Sequence, residues 1–202
     1  MKEYVKINTL FKRDMANKGK IMLGEWSMEE FDYLQHNVWE FNEKIDGTSI
    51  RVSPYVFPKG GQEVLFGGRT DAAQIPTRLL TNLQSLFSFE RFTEVFSDTD
   101  VTKVCLYGEG CGAGIQKGGG NYGSEQTFIL FDVLVGEWWL RRSDVEDIAR
   151  KFGLQYAPVI GCGPLEDAIT LCRDGFSSAW GDFQAEGVVL RPQIELKTRG
   201  GH

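Results

Sequence analysis

Alternating and β-branched stretches along the chain predict strands at residues 38–43, 48–55, 63–67, 101–107, 128–135 and 187–191. Between them, Leu79, Leu80, Leu83, Leu86 and Phe87 recur at three- and four-residue steps, so 79–96 predicts one helix or a helix pair. Residues 144–152 predict the clearest helix. Val145, Ile148, Ala149 and Phe152 share a face, Ser143 and Glu146 have capping-box spacing, and Gly153 supplies a stop. Pro164 opens a further helix through Cys172. No repeat and no charged or proline-rich linker interrupts this order, which predicts a single α+β domain over 1–202.

Composition narrows the picture by exclusion. With 202 residues, 42% hydrophobic and 25% charged, the chain can bury a core without disulfides or a structural metal. The longest apolar run, 128–131, is followed at once by Asp132, far short of a membrane-spanning helix. The first residues lack a signal peptide's apolar stretch, so the chain is expected to remain inside the cell, in the cytoplasm. Cys105, Cys111, Cys162 and Cys172 show no C-x-x-C spacing, and His36 is the only internal histidine, which argues against a zinc site and against a Ser-His-Asp triad. The net charge of -6 means that a polyanionic partner must be held by local Arg and Lys clusters.

Two glycine-containing segments carry candidate chemistry. Gly118-x-Gly120-x-x-Gly123 matches the dinucleotide fingerprint formally, but no strand leads into it and no helix pattern follows, so 108–123 reads as a flexible loop. A Walker motif is absent, since Gln116 precedes and Gly118 follows Lys117. The second segment, Glu43-Lys44-Ile45-Asp46-Gly47, lies between two predicted strands. Taken alone, its K-x-D-G pattern is also compatible with a lysine in a solvated turn.

Later segments follow it in a fixed order: Gly68-Arg69-Thr70, Leu106-Tyr107-Gly108-Glu109-Gly110, Phe131-Asp132-Val133-Leu134, and Glu186-Gly187-Val188-Val189-Leu190-Arg191. Together they resemble the motif series of the covalent nucleotidyltransferases, the superfamily of nucleic-acid ligases and mRNA capping enzymes. The stretches from Tyr107 to Tyr122 and from Phe131 to Leu140 are most similar to the phage-type, nick-sealing RNA ligase family. The resemblance spans roughly Val38 to Arg191. It implies a nucleotidyltransferase (ATP-grasp-like ligase adenylation) domain built on antiparallel sheets with flanking helices, and, if the chain is viral, a host cytoplasm.

In that family a lysine amine attacks the α-phosphate of ATP, and Lys44 is the matching position. A free lysine at pH 7 is the nucleophilic amine in only about one molecule in 2,500, and recovering that factor takes roughly 4 kcal/mol of differential stabilisation. The resemblance implies that Asp46 organises metal or leaving group, that Gly47 lines the nucleotide, and that Arg69, in preference to Arg51, engages phosphate. It implies that Glu43 reads the adenine edge, an exposed strand glutamate being equally compatible. Glu109 corresponds to a ribose-binding carboxylate, the alternative being a surface glutamate. Phe131 corresponds to the aromatic that stacks on adenine, with Asp132 on the opposite strand face, the alternative being plain core packing. Glu186 corresponds to a carboxylate that binds Mg2+ or Mn2+ through water.

The expected partner is RNA with 5′-phosphate and 3′-hydroxyl ends, in a nicked duplex, handled by a monomer without a membrane. A DNA ligase or capping guanylyltransferase is the near alternative, and a catalytically silent nucleotide- or RNA-binding module the distant one. The family also carries a later K-x-K motif. Lys197-Thr198-Arg199 is similar to it but follows Glu186 closely, so the motif is expected to be degenerate or lost by truncation, along with any C-terminal domain.

Overall fold

The structure, a computed structural model, describes residues 1–194. In chain order its elements are β1 (Phe11–Asp14), β2 (Lys20–Trp26), α1 (Glu29–Leu34), β3 (Trp39–Glu43), β4 (Thr48–Val56), β5 (Gln62–Gly67), α2 (Thr77–Leu86) and α3 (Phe89–Val95). They continue with β6 (Val104–Cys111), β7 (Thr127–Val135), β8 (Trp138–Trp139), α4 (Arg142–Phe152), β9 (Gln155–Tyr156), β10 (Val159–Gly163), α5 (Leu165–Asp174) and β11 (Val188–Pro192). The α+β class with antiparallel sheets and few helices is as expected. Contacts group the chain into two compact units.

One unit comprises Met1–Tyr4, Lys44–Pro158 and Ser177–Glu186. Its sheet runs β5-β4-β6-β7-β8, antiparallel throughout, with β9 joining β7 in parallel. Alternation sends Ile50, Val52, Leu106, Phe128, Leu130 and Val133 to one face, where Leu79 and Leu83 of α2, Phe92 of α3 and Val145 and Phe152 of α4 cover them. Phe87 meets Phe128 edge-on at 5.5 Å between ring centroids. Each fully buried side chain of this kind contributes about 1.5–3 kcal/mol. The opposite face carries Cys105, Tyr107 and Leu134, packed by Tyr4 and Trp139. The first residues seal that face, since Tyr107 Oη donates to the Lys2 carbonyl at 3.0 Å.

The other unit comprises Val5–Glu43, Val159–Phe176 and the described residues from Gly187. Its sheet runs β10-β3-β11, antiparallel at both junctions, and its core joins Trp39, Phe41, Leu165 and Ala168 to Trp26, Phe31 and Leu34. β1 and β2 form a separate two-stranded ribbon.

All six predicted strands are present, with informative shifts. Val101–Lys103 is a 3-10 turn rather than strand, because the Asp100 carboxylate accepts the Thr102 amide at 3.1 Å and tightens the chain there. β6 instead runs on through Gly108-Glu109-Gly110 to Cys111, so the glycine-rich segment begins as strand and not as a flexible loop. At Gly108 a Cβ would collide with the Phe128 ring of the neighbouring strand, so only glycine lets the two strands pair there. The 79–96 helix is a pair, α2 and α3. α4 starts at Arg142 with Arg141 as N-cap and no side-chain cap, so Ser143 lies inside the helix and the expected capping box does not form. Arg142 holds that end instead. Its guanidinium donates to the Ala157 carbonyl and lies 5.4 Å from the Tyr156 ring centroid.

No helix among the described residues is long and apolar enough to cross a membrane. Lys197, Thr198 and Arg199 lie outside the described residues.

Candidate active site

The turn between β3 and β4 delivers Lys44, where the chain re-enters the larger unit. Its ammonium donates to Glu186 Oε1 at 2.6 Å, with the two side chains 49% and 40% exposed. Ile45 next to it is buried with Cys111 and Ile129, which anchors the turn on the sheet while Lys44 stays open to solvent. At Gly47 a Cβ would run into the Gly110 carbonyl and lie 2.8 Å from Glu109 Cγ, so this turn presses directly on the β6 segment carrying Glu109.

Two residues from the glycine-rich segment hold the turn in shape. The Asp46 amide donates to Tyr122 Oη at 3.1 Å, and Gln116 Nε2 donates to the Gly47 carbonyl at 3.1 Å. Sequence reasoning gave neither a role, although both lie in the Tyr107–Tyr122 stretch that carries the resemblance. Tyr122 is in turn packed edge-on by Phe183 at 5.3 Å and Trp180 at 5.9 Å.

Glu109 is where the electrostatics of the site are read most clearly. Burial pushes its carboxyl up to about 8; Lys44 pulls the other way, while Glu186 and Asp46 raise it further. One amine and three carboxylates therefore share one field, and Lys44, Asp46, Glu109 and Glu186 are brought together as the motif order implied. These acids offer oxygen donors, which suit a hard divalent cation that keeps most of its waters and bridges carboxylate to phosphate. Among the described residues no group of three or more His, Cys, Asp or Glu is arranged to hold a metal ion by itself.

Phe131 lies half-buried on β7, between the cluster around Ile45 and Ile129 and the cluster around Tyr107 and Leu134. The register departs from simple alternation here: Tyr107 pairs with Asp132 and Gly108 with Leu130, leaving Phe131 as the extra residue of a β-bulge. The expectation that Asp132 faces away from Phe131 is thereby corrected. Tyr4 touches both, packing edge-on against the Phe131 ring at 5.1 Å and donating its hydroxyl to Asp132 Oδ2 at 2.7 Å. No pattern near the N-terminus signalled Tyr4, because its partner Asp132 lies 128 residues further along the chain.

The two arginines part company. Arg51 is fully buried and spends its guanidinium on the Gly68 carbonyl at 2.7 Å, the Met1 carbonyl at 3.2 Å and Asp71 Oδ1 at 2.8 Å. Arg69 is exposed on the bend after β5, directly beyond the Gly68 carbonyl that Arg51 holds. Glu43 belongs to the smaller unit, where it sits opposite Val188 and is buried, not exposed.

An antiparallel sheet offering a solvent-facing lysine from a strand-to-strand turn, beside a half-buried glutamate and a bulged aromatic, is the architecture of a nucleotidyltransferase-type ligase. The RNA ligase family matches residues 37–201, and the chain belongs to that family. No curated protein sequence matches it. Among solved structures it is similar to Naegleria gruberi RNA ligase. An arginine-to-alanine variant with ATP and Mn superimposes at TM-score 0.60 and 16% identity, over 83% of this chain and 50% of the other. The form with PPi gives TM-score 0.57 and 18% identity over 97% and 54%. A lysine-to-methionine variant with AMP and Mn gives 0.59 and 16% over 80% and 48%. The chain thus spans about half the length of the structures it matches.

Proposed function

We propose that this chain is the adenylyltransferase domain of an ATP-dependent RNA ligase, with Lys44 as the nucleophile. The observation that carries the reading is the exposed Lys44 amine, 2.6 Å from Glu186 and in one electrostatic field with Asp46 and Glu109. The Lys44–Glu186 pair opens when nucleotide arrives, freeing Nζ. The neutral amine then forms an N–P bond to the α-phosphate of ATP, the bond to the bridging oxygen breaks, pyrophosphate leaves, and the amine's proton passes to solvent or a neighbouring carboxylate. The resulting lysyl-AMP gives its AMP to an RNA 5′-phosphate, and a 3′-hydroxyl displaces AMP to seal the strand.

Glu109 accepts hydrogen bonds from the ribose hydroxyls, and Phe131 stacks on adenine with its ring angle set by Tyr4. Glu186 and Asp46 would hold Mg2+ or Mn2+, which would supply neutralisation of phosphate charge. Arg69, free of ion pairs among the described residues, engages phosphate. Arg51 supports it from behind through Gly68. The substrate is a nicked RNA duplex, and the chain acts as a monomer.

The test is intact mass after incubation with Mg2+ or Mn2+ and either ATP or GTP. A gain of one AMP from ATP, lost in Lys44→Ala, supports the reading. A gain from GTP instead points to a capping enzyme, and nucleotide binding with no covalent gain points to a silent binding module.

A further inference from the structure

The charge of this chain is unevenly distributed. The β1–β2 ribbon, residues 11–26, carries Lys12, Arg13, Lys18 and Lys20 against Asp14 and Glu25, a local net of +2 in a chain of net charge -6. Its turn is rigidly built. The Asp14 carboxylate accepts the Ala16 and Asn17 amides at 3.0 and 3.2 Å, the Gly19 amide returns to the Asp14 carbonyl at 2.8 Å, and Arg13 Nη1 donates to the Gly19 carbonyl at 3.2 Å.

On this frame Arg13, Lys18 and Lys20 are all exposed. The side chains of Lys18 and Lys20 have no hydrogen bond or ion pair among the described residues, whereas Lys12 is already answered by Glu25 at 3.9 Å. Between the cations stand bare apolar side chains, with Met15 82% and Leu23 74% exposed. A surface of this kind suits a polyanion with apolar as well as charged parts, and a nucleic acid, with its phosphates, sugars and bases, has both.

We infer that the β1–β2 ribbon is a nucleic-acid-binding surface, gripping the sugar–phosphate backbone of the RNA through Arg13, Lys18 and Lys20. The inference rests on the RNA-joining reading for its choice of polyanion. Backbone contacts of this sort position a duplex without reading its sequence. They also release counterions, so each one steepens the fall of affinity with salt by about 0.9 in log–log slope on a duplex. The preformed turn fixes the backbone that carries the three cations, so binding has only side chains left to order.

The experiment is a fluorescence-anisotropy titration of a labelled nicked RNA duplex from low to physiological potassium chloride. It compares the wild-type chain, the Arg13→Ala/Lys18→Ala/Lys20→Ala variant, and Lys59→Ala/Lys103→Ala/Lys151→Ala, which removes equal charge elsewhere. The ribbon variant should lose about 2 to 3 units of salt slope, while the control loses less than one and Lys18→Arg/Lys20→Arg keeps the wild-type slope. AMP adduct formation, read by mass in parallel, should be equal in all four chains and shows that each is folded. Equal slopes in the ribbon and control variants overturn the inference. So does loss of binding to phosphatidylserine vesicles with RNA binding intact, which would make the ribbon a lipid-facing device. A ribbon-dependent slope in a chain that never forms an adduct keeps the surface and sinks the RNA-joining reading instead.

Discussion

Replacing Glu109 by Gln should change how stability depends on pH. The carboxyl titrates near 4.5 when unfolded but is pushed up to about 8 in the folded chain, chiefly by burial. The folded state therefore binds this proton more tightly. The stabilisation tied to it is complete below pH 4.5, declines as pH rises, and is gone above pH 8. Each pH unit inside that window costs about 1.4 kcal/mol, so the loss between pH 5 and pH 8 approaches about 3.5 kcal/mol. Glutamine keeps the shape and cannot ionise. Urea unfolding of both chains in the absence of nucleotide should show Glu109→Gln close to wild type at pH 5 and increasingly more stable towards pH 8. Lys44→Met, which removes the cation that pulls the carboxyl down, should extend the wild-type decline to higher pH. If the gap between Glu109→Gln and wild type is the same at pH 5 and pH 8, the field described for the site is wrong.

Lys44→Ala should abolish AMP adduct formation while leaving the melting temperature near wild type, since the lysine is half-exposed and its ion pair is worth at most about 1 kcal/mol. Phe131→Leu should raise the KM for ATP several-fold, from loss of about 1 kcal/mol of ring stacking; Glu109→Ala should be harsher, and a crystal with AMP showing the purine away from Phe131 would refute the pocket. Arg51→Met should cost about 3 kcal/mol or more in thermal unfolding, because the Gly68 and Met1 carbonyls lose a charged donor. Asp71→Asn should cost under about 1 kcal/mol, its side chain being largely exposed.

What the sequence disclosed and what it hid follow one physical line. The six foreseen strands and the helices α2 to α5 bury a face, and burial writes periodicity into the chain. β1 and β2 leave Ile21 and Leu23 exposed and so carry no such signature. β10, with Gly161, Cys162 and Gly163, has weak intrinsic preference for strand and is one because β3 pairs with it. The charged core of the site was legible because its members recur in fixed order. The partners that set their geometry were not, since Tyr4 meets Asp132 and Arg51 meets Asp71 only after folding.

The extra residue in β7 has a consequence for what the fold requires of that position. Phe128 and Leu130 point to the helix-covered core, and so do Val133 and Val135, although two residues, not one, lie between the two pairs. The in–out parity of the strand slips once, at Phe131. Strike that residue out and the remaining series alternates without error from end to end. The alternation of the sheet does not call for that residue, and what holds its ring in place is the edge-on contact with Tyr4. The bulge thereby turns the Phe131 ring to the same side as Asp132, where one tyrosine, Tyr4, meets both.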